Sequence, residues 1–389
     1  MAVARENAAR LKKIPPYLFA DIEAKVRAKM AQGVDIIDFG IGDPDLPTPN
    51  EIVEELKKQV KVAGNNQYST SAGEDETRRA VADWYEKRFG VHLDPDKEVV
   101  ITMGSKEGLV NFCRAFVNPG DRVLVPDPAY PVYAQGGTLL SEGVPVRVPL
   151  LPEESFLMDL ASVPAGSKIA FVNYPNNPTA AVATRDYLKD LVKWSRTTGT
   201  IICYDNAYSE MTFDGYVAPS ILEFGRDCIE FGSLSKTFNM TGYRIGYAVG
   251  DSDLISGLKK VKSQVDSGVP KFIQRAAVFA LGLYENGKRP PVVEKNVSIY
   301  KGRRDLVVAG LRKMGFKVAP PLGTFYIWFN CNESSMDFAK RLLDVGVVVT
   351  PGVGFGEHGE GFIRMSLTQP AKRIEEALER IEKGLKSPA

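Results

Sequence analysis

Histidine is nearly missing from this chain, which has two, His92 and His358, in 389 residues. That scarcity disfavours a histidine-rich metal centre and a Ser-His-Asp hydrolase, although one histidine could serve in either. Cysteine is also sparse. Cys113, Cys203, Cys228 and Cys331 form no C-x-x-C pair and lie in apolar segments. They read as buried thiols in a reducing compartment. An excess of one charge is absent too: the net charge is +1, so nothing electrostatic favours nucleic acid or an anionic membrane. No apolar run approaches the ~20 residues that cross a bilayer. The early charges Arg5, Glu6, Arg10, Lys12 and Lys13 are not followed by an apolar h-region, so no secretory signal is expected and a cytoplasmic location is.

What is present is an ordinary globular mixture, 44% hydrophobic and 25% charged, long enough for two lobes around a large core. Strand-like runs at Glu98–Met103, Asp121–Val125, Lys168–Asn173, Thr200–Tyr204, Cys228–Phe231 and Ile245–Val249 alternate with helical patterns such as Lys106–Phe116 and Arg185–Arg196. This predicts an α/β fold with a mostly parallel, helix-covered sheet. After the long helical pattern Val292–Lys313, strands are expected at Phe316–Ala319, Thr324–Asn330, Gly346–Val349 and Gly361–Leu367, with helices at Met336–Leu343 and Ile374–Leu385. That is the pattern of a smaller α+β domain.

Two glycine motifs read as turns. Gly354, Gly356 and Gly359 fit G-x-G-x-x-G, but a strand pattern follows instead of a helix. Gly282 to Arg289 falls short of a P-loop, lacking the Ser/Thr and following a helix.

Four other segments carry chemistry. Lys236, in Ser233-Leu-Ser235-Lys236-Thr-Phe-Asn-Met-Thr-Gly-Tyr-Arg244, lies between two apolar runs. Desolvation and a nearby cation keep such an amine nucleophilic, as a lysine holding a carbonyl cofactor as a Schiff base requires. The hydroxyls and Arg244 suit a phosphate beside it. A surface or phosphate-contact lysine is the plainer alternative. Gly104-Ser105-Lys106 lies between a strand and a helix, where free N–H groups favour an anion; a Gly-assisted turn is the alternative. Asn173-Tyr-Pro-Asn-Asn177-Pro-Thr179 makes a rigid loop at a strand's carboxyl end, where open α/β sheets place ligands, or a turn with capping asparagines. Asp205 ends another strand, with Tyr208 three residues on. A carboxylate there can hold a pyridine nitrogen protonated, or simply cap a helix.

These motifs stand in order with Gly42 in Gly-Asp-Pro-Asp, Tyr68 in Gln-Tyr-Ser, Tyr130 in Asp-Pro-Ala-Tyr and Arg364 in Phe-Ile-Arg-Met-Ser. Together they resemble the pyridoxal 5'-phosphate (PLP)-dependent aminotransferases of classes I and II, fold type I. The resemblance spans nearly the whole chain. It implies a mostly parallel seven-stranded sheet in a large PLP-binding domain, residues 50–285. The smaller α+β domain would comprise 1–49 and 286–389. By resemblance, Lys236 bonds the cofactor and moves the substrate Cα proton, and Asp205 pairs with the ring nitrogen. Tyr208 and Asn177 bond the ring oxygen, and Tyr130 stacks on the ring. Ser105, Lys106, Ser233, Ser235 and Arg244 hold the phosphate, with Tyr68 reaching it from the neighbouring subunit of a homodimer. Arg364 clamps the substrate α-carboxylate, and Gly42 closes over it. Ala180 stands where many relatives have glycine.

Finer wording, such as Leu-Lys-Lys-Ile-Pro-Pro-Tyr17-Leu-Phe-Ala and Asn206-Ala-Tyr208-Ser-Glu210-Met-Thr-Phe-Asp-Gly-Tyr, resembles the LL-diaminopimelate aminotransferases of lysine biosynthesis. The substrates implied are an amino acid and a 2-oxo acid, LL-diaminopimelate with 2-oxoglutarate. Tyr17, Tyr133 and Glu74 are candidates for the distal end of the substrate. Ser71 replaces a glutamate of the plant-type members, with Glu74 and Glu76 nearby. The alternatives are an aspartate, alanine or aromatic aminotransferase, a C–S lyase on the same fold, or a non-catalytic PLP-binding regulator. A regulator would need a DNA-binding module, and no basic helix-turn-helix segment is evident.

Overall fold

The strand-like runs of the middle of the chain assemble side by side. A computed structural model describes residues 6–15 and 19–386. A short strand, β1 (Ile37–Asp38), precedes the central sheet of β2 (Val99–Thr102), β3 (Arg122–Asp127), β4 (Val144–Pro149), β5 (Ile169–Asn173), β6 (Ile201–Asp205), β7 (Ile229–Ser233) and β8 (Gly246–Gly250). The order is β2-β8-β7-β6-β5-β3-β4, and β8 alone runs against its neighbours. Alternate residues serve opposite faces. Phe171, Cys203 and Ile229 enter one core cluster, and Val172, Ile202 and Tyr204 the other. Burial on both faces explains why these strands are continuous apolar runs. β4 has no counterpart among the expected strands. Pro145 and Pro149 mask it, and prolines are tolerated because it is an edge strand.

The C-terminal part adds β9 (Tyr326–Asn330), β10 (Val347–Val348), β11 (Thr350–Pro351) and β12 (Phe362–Ser366). β12 lies antiparallel between β11 and β9. The strand expected over 346–349 is split: β10 pairs parallel with β1, and the chain then enters the other sheet as β11. This pairing ties the N-terminal segment to the C-terminal part. Ser366 reinforces it: its amide donates to Phe39 O at 2.8 Å and its hydroxyl to Ile41 O at 2.8 Å. Phe316–Ala319 is not a strand. The Phe316 amide closes the preceding helix by donating to Leu311 O, and two prolines follow at 320 and 321. The Phe316 ring instead packs against Phe329 and Phe338. Both glycine motifs are turns: 352–359 forms two short 3-10 segments, and Glu285 bridges to Lys288. No helix among the described residues is long and apolar enough to cross a membrane.

Candidate active site

Because β3, β5, β6 and β7 run parallel, their carboxyl ends meet at one edge. The register sets Asn173 beside Asp205, and Asp205 beside Phe231, two residues before Ser233. A cavity of about 1180 Å³ opens at this edge.

Lys236 sits on a one-turn helix, Leu234–Thr237, whose N-cap Ser233 accepts from the Ser235 amide. Its Nζ donates to Gly42 O at 2.9 Å. Burial pushes the amine down to about 8, against the pull of Asp43 and with help from Arg364 and Arg244.

Asp205 is buried at the end of β6. Oδ2 accepts from Tyr133 Oη at 2.7 Å, whereas Oδ1 makes no hydrogen bond of normal geometry among the described residues. Burial pushes the carboxyl up to about 6, opposed by the Tyr133 hydroxyl and the Ala207 amide. Asn173 fixes the adjoining loops: its Nδ2 donates to Asp205 O at 2.7 Å, and its Oδ1 accepts from Asn177 N at 2.8 Å. The Tyr208 loop is held from behind, where buried Glu210 takes Arg88 Nε at 2.8 Å and Tyr284 Oη at 3.0 Å.

Gly104 caps the helix Ser105–Phe116 with φ +79. A Cβ there would strike Arg244, whose side chain fills that space. Glu107 accepts the Met103 amide at 2.9 Å, and fully buried Lys262 pairs with Glu107 at 3.2 Å. The turn that aims Ser105 and Lys106 into the cavity is thus anchored from below.

Arg364 on β12 is buried. Nη1 donates to Asn177 Oδ1 at 2.8 Å and Nη2 to Gly40 O at 2.7 Å, while Nε has no partner among the described residues. Its guanidinium carbon lies 4.4 Å from the Tyr326 ring centre and 4.7 Å from that of Phe355. Tyr326 Oη is 2.9 Å from Tyr208 Oη.

Gly42, Ser105, Lys106, Tyr130, Asn177 and Asp205 line the cavity, as do Tyr208, Ser233, Ser235, Lys236, Arg244 and Arg364. Tyr68 does not. It is 86% exposed. Tyr17 lies outside the described residues. The two other distal-end candidates are placed apart, one on the cavity and one off the cavity of its own chain. Tyr133 lines the cavity, but its hydroxyl is committed to Asp205. Glu74 is away from the cavity, accepting from Ser69 Oγ at 2.9 Å. Glu76 pairs with Arg275. Sequence reasoning missed Tyr326, Phe355 and Asn173 as parts of the site. Asn173 was visible only as the start of its loop, and the rings read as plain core.

The arrangement combines a neutralisable amine, a buried carboxylate, an anion cup and a guanidinium clamp. Over residues 34–381 the chain matches the family of class I and II aminotransferases, and it belongs to that family. It is a PLP-dependent transaminase of fold type I. It is 49% identical to the LL-diaminopimelate aminotransferase of Desulforudis audaxviator over 385 residues, covering 96% of this chain and 97% of that one. It is also 49% identical to the LL-diaminopimelate aminotransferase of Aquifex aeolicus over 383 residues, with 96% and 97% covered. A single mutant of Thermus thermophilus aspartate aminotransferase superposes with a TM-score of 0.92 at 30% identity, covering 98% of this chain and 100% of that one.

The cavity fits PLP on its own terms. The orphaned Asp205 Oδ1 suits a protonated ring nitrogen. The Gly104 cup beside Arg244 suits a phosphate.

Proposed function

We propose that this chain transfers an amino group between LL-diaminopimelate and 2-oxoglutarate in lysine biosynthesis, with PLP carried by Lys236. The observation that carries the reading is the convergence of Lys236, Asp205 and Arg364 on one cavity; the names of the relatives supply the substrate. When bound, the cofactor supplies an electron sink for the substrate Cα. Asp205 Oδ1 would hold the proton on the ring nitrogen. Tyr208 and Asn177 would hydrogen-bond the ring oxygen, and Tyr130 would cover the ring. Ser105, Lys106, Ser233, Ser235 and Arg244 would hold the phosphate. Lys236 Nζ, with its lowered pKa, takes the proton from Cα and returns it. Arg364 offers a fork to the α-carboxylate, and the Gly42 segment covers it.

One site must accept both a distal zwitterion and a bare carboxylate, which favours polar, water-bridged contacts over a second dedicated arginine. The exposed residues Glu23, Arg27 and Arg147 line the cavity and offer both signs of charge. We read the chain as a large domain over 50–285 and a small one over 1–49 and 286–389. The β1–β10 pairing supports this division. The active form is a cytoplasmic homodimer; exposed Tyr68, away from its own cavity, supports composite sites.

Steady-state kinetics with single amino acids tests the substrate. The kcat/KM for LL-diaminopimelate is expected to exceed those for aspartate, alanine and phenylalanine by at least ~10-fold, ~1.4 kcal/mol of transition-state discrimination. A faster reaction with any of the three, or none with LL-diaminopimelate, would sink the assignment and leave the aminotransferase class standing.

A further inference from the structure

Tyr326 is a tyrosine in a strand, 2% exposed, that local sequence marks as core. Its surroundings are not those of a core residue. Among the described residues the hydroxyl has one hydrogen-bond partner, Tyr208 Oη at 2.9 Å. The ring face carries the Arg364 guanidinium. The hydroxyl also fills the space that a Cβ on Gly42 would need, and Gly42 O in turn accepts from Lys236 Nζ. One side chain therefore touches the phenol, the clamp and the backbone that the lysine holds. Little freedom is left to it. The Tyr326 amide donates to Thr324 Oγ1 at 3.1 Å, and its ring meets Tyr208 edge-on at 5.7 Å and Phe325 at 4.9 Å.

We propose that Tyr326 is a positioning residue of this active site: its hydroxyl donates to Tyr208 Oη and its ring seats the Arg364 guanidinium. The first half follows from counting hydrogens, and it rests on the reading that Tyr208 donates to the cofactor's ring oxygen. A phenol has one hydrogen to give. If Tyr208 spends it on the ring oxygen, its own oxygen can only accept from Tyr326. A donor that itself accepts a hydrogen bond is polarised and donates more strongly. Tyr326 thus strengthens the bond that favours a negative ring oxygen without touching the cofactor. The second half follows from the ring geometry. A guanidinium seated over an aromatic face, here 4.4 Å from guanidinium carbon to ring centre, is held in place while its N–H groups stay available to a carboxylate.

The test is an absorbance titration of the lysine-linked chromophore in cofactor-loaded wild type, Y208F, Y326F and the double variant. Weaker donation to the ring oxygen leaves it a better acceptor for the adjacent imine proton, so the chromophore should titrate at higher pH. Y208F is expected to show the larger rise. Y326F should rise by about half a pH unit, and Y326F should add nothing in the Y208F background. A Y326F titration equal to wild type, or the same rise with and without Tyr208, overturns the relay. Y326L, which removes the ring, is expected to raise the amino-acid KM about ten-fold more than Y326F does, a factor set by loss of the cation–π contact and packing. Equal KM values for the two variants overturn the ring's role. Failure of the underlying reading looks different: Y208F itself would titrate as wild type.

Discussion

Tyr133 Oη donates to Asp205 Oδ2 across 2.7 Å, with both residues buried. One carboxylate oxygen is thereby fixed by the protein, and the other is left without a hydrogen-bond partner among the described residues, on a side chain that lines the cavity. The tyrosine is itself immobilised. Its ring stacks on Phe171 at 4.7 Å, and it opens a π-helical turn, Tyr133–Thr138, whose Thr138 Oγ1 donates back to Tyr133 O at 2.8 Å. Such turns recur at functional sites.

The first prediction concerns the cofactor-free protein. Asp205 titrates near 6 in the fold against an ordinary 3.8. A raised carboxyl contributes its stability fully below the unfolded value and loses it as pH rises through the folded one. Wild type should therefore weaken between about pH 4 and pH 6 by at most ~3 kcal/mol from this group. Asp205→Asn should flatten that fall while abolishing most amino transfer. Urea unfolding of both proteins at several pH values checks it; parallel curves would count against a strained Asp205.

Lys236→Ala should lose the lysine-linked chromophore and lower turnover by several orders of magnitude. Borohydride reduction of the loaded wild type followed by peptide mapping should label Lys236. A label on another lysine would refute the assignment.

Arg364→Lys keeps the charge but loses the fork, and it leaves Asn177 Oδ1 and Gly40 O to share one ammonium group. We expect kcat/KM to fall by about two orders of magnitude, mostly through KM. An unchanged KM for every amino acid tested would mean that the α-carboxylate binds elsewhere.

Composite sites can be detected by complementation. A Lys236→Ala/Arg364→Ala chain is expected to be inactive, and a Tyr68→Phe chain to be impaired by weakened cofactor binding. After subunit exchange the mixture should gain activity beyond the sum of its parts, because the heterodimer then carries one intact site, with Lys236 and Arg364 from the Tyr68→Phe chain and Tyr68 from its partner. No such gain despite proven exchange would contradict the dimer reading.

Much of this was legible because the relevant signals are local. The strands of the central sheet, other than the proline-bearing edge strand β4, announce themselves by apolar runs that burial on both faces demands. Asp205 ends a strand, and Lys236 and Asn177 follow strand ends closely, in local wording whose chemistry is odd for plain connections. The remainder depends on partners far along the chain. Tyr326 is 118 positions from Tyr208 and Tyr133 is 72 from Asp205, so each reads as an ordinary buried aromatic. Phe316–Ala319 has the composition of a strand, but the helix before it claims its first amide. Val144–Pro149 has the reverse problem, with prolines that only an edge position excuses.

The pairing of β1 with β10 also sets a timetable. Ribosomes add about 5–20 residues each second. The cup and the lysine, Gly104 to Arg244, are made as one stretch, whereas Arg364 follows on the order of ten seconds later. The Gly40 carbonyl, made before either, must wait for that arginine. A nascent chain thus has the parts to hold a phosphate well before it can grip an amino acid.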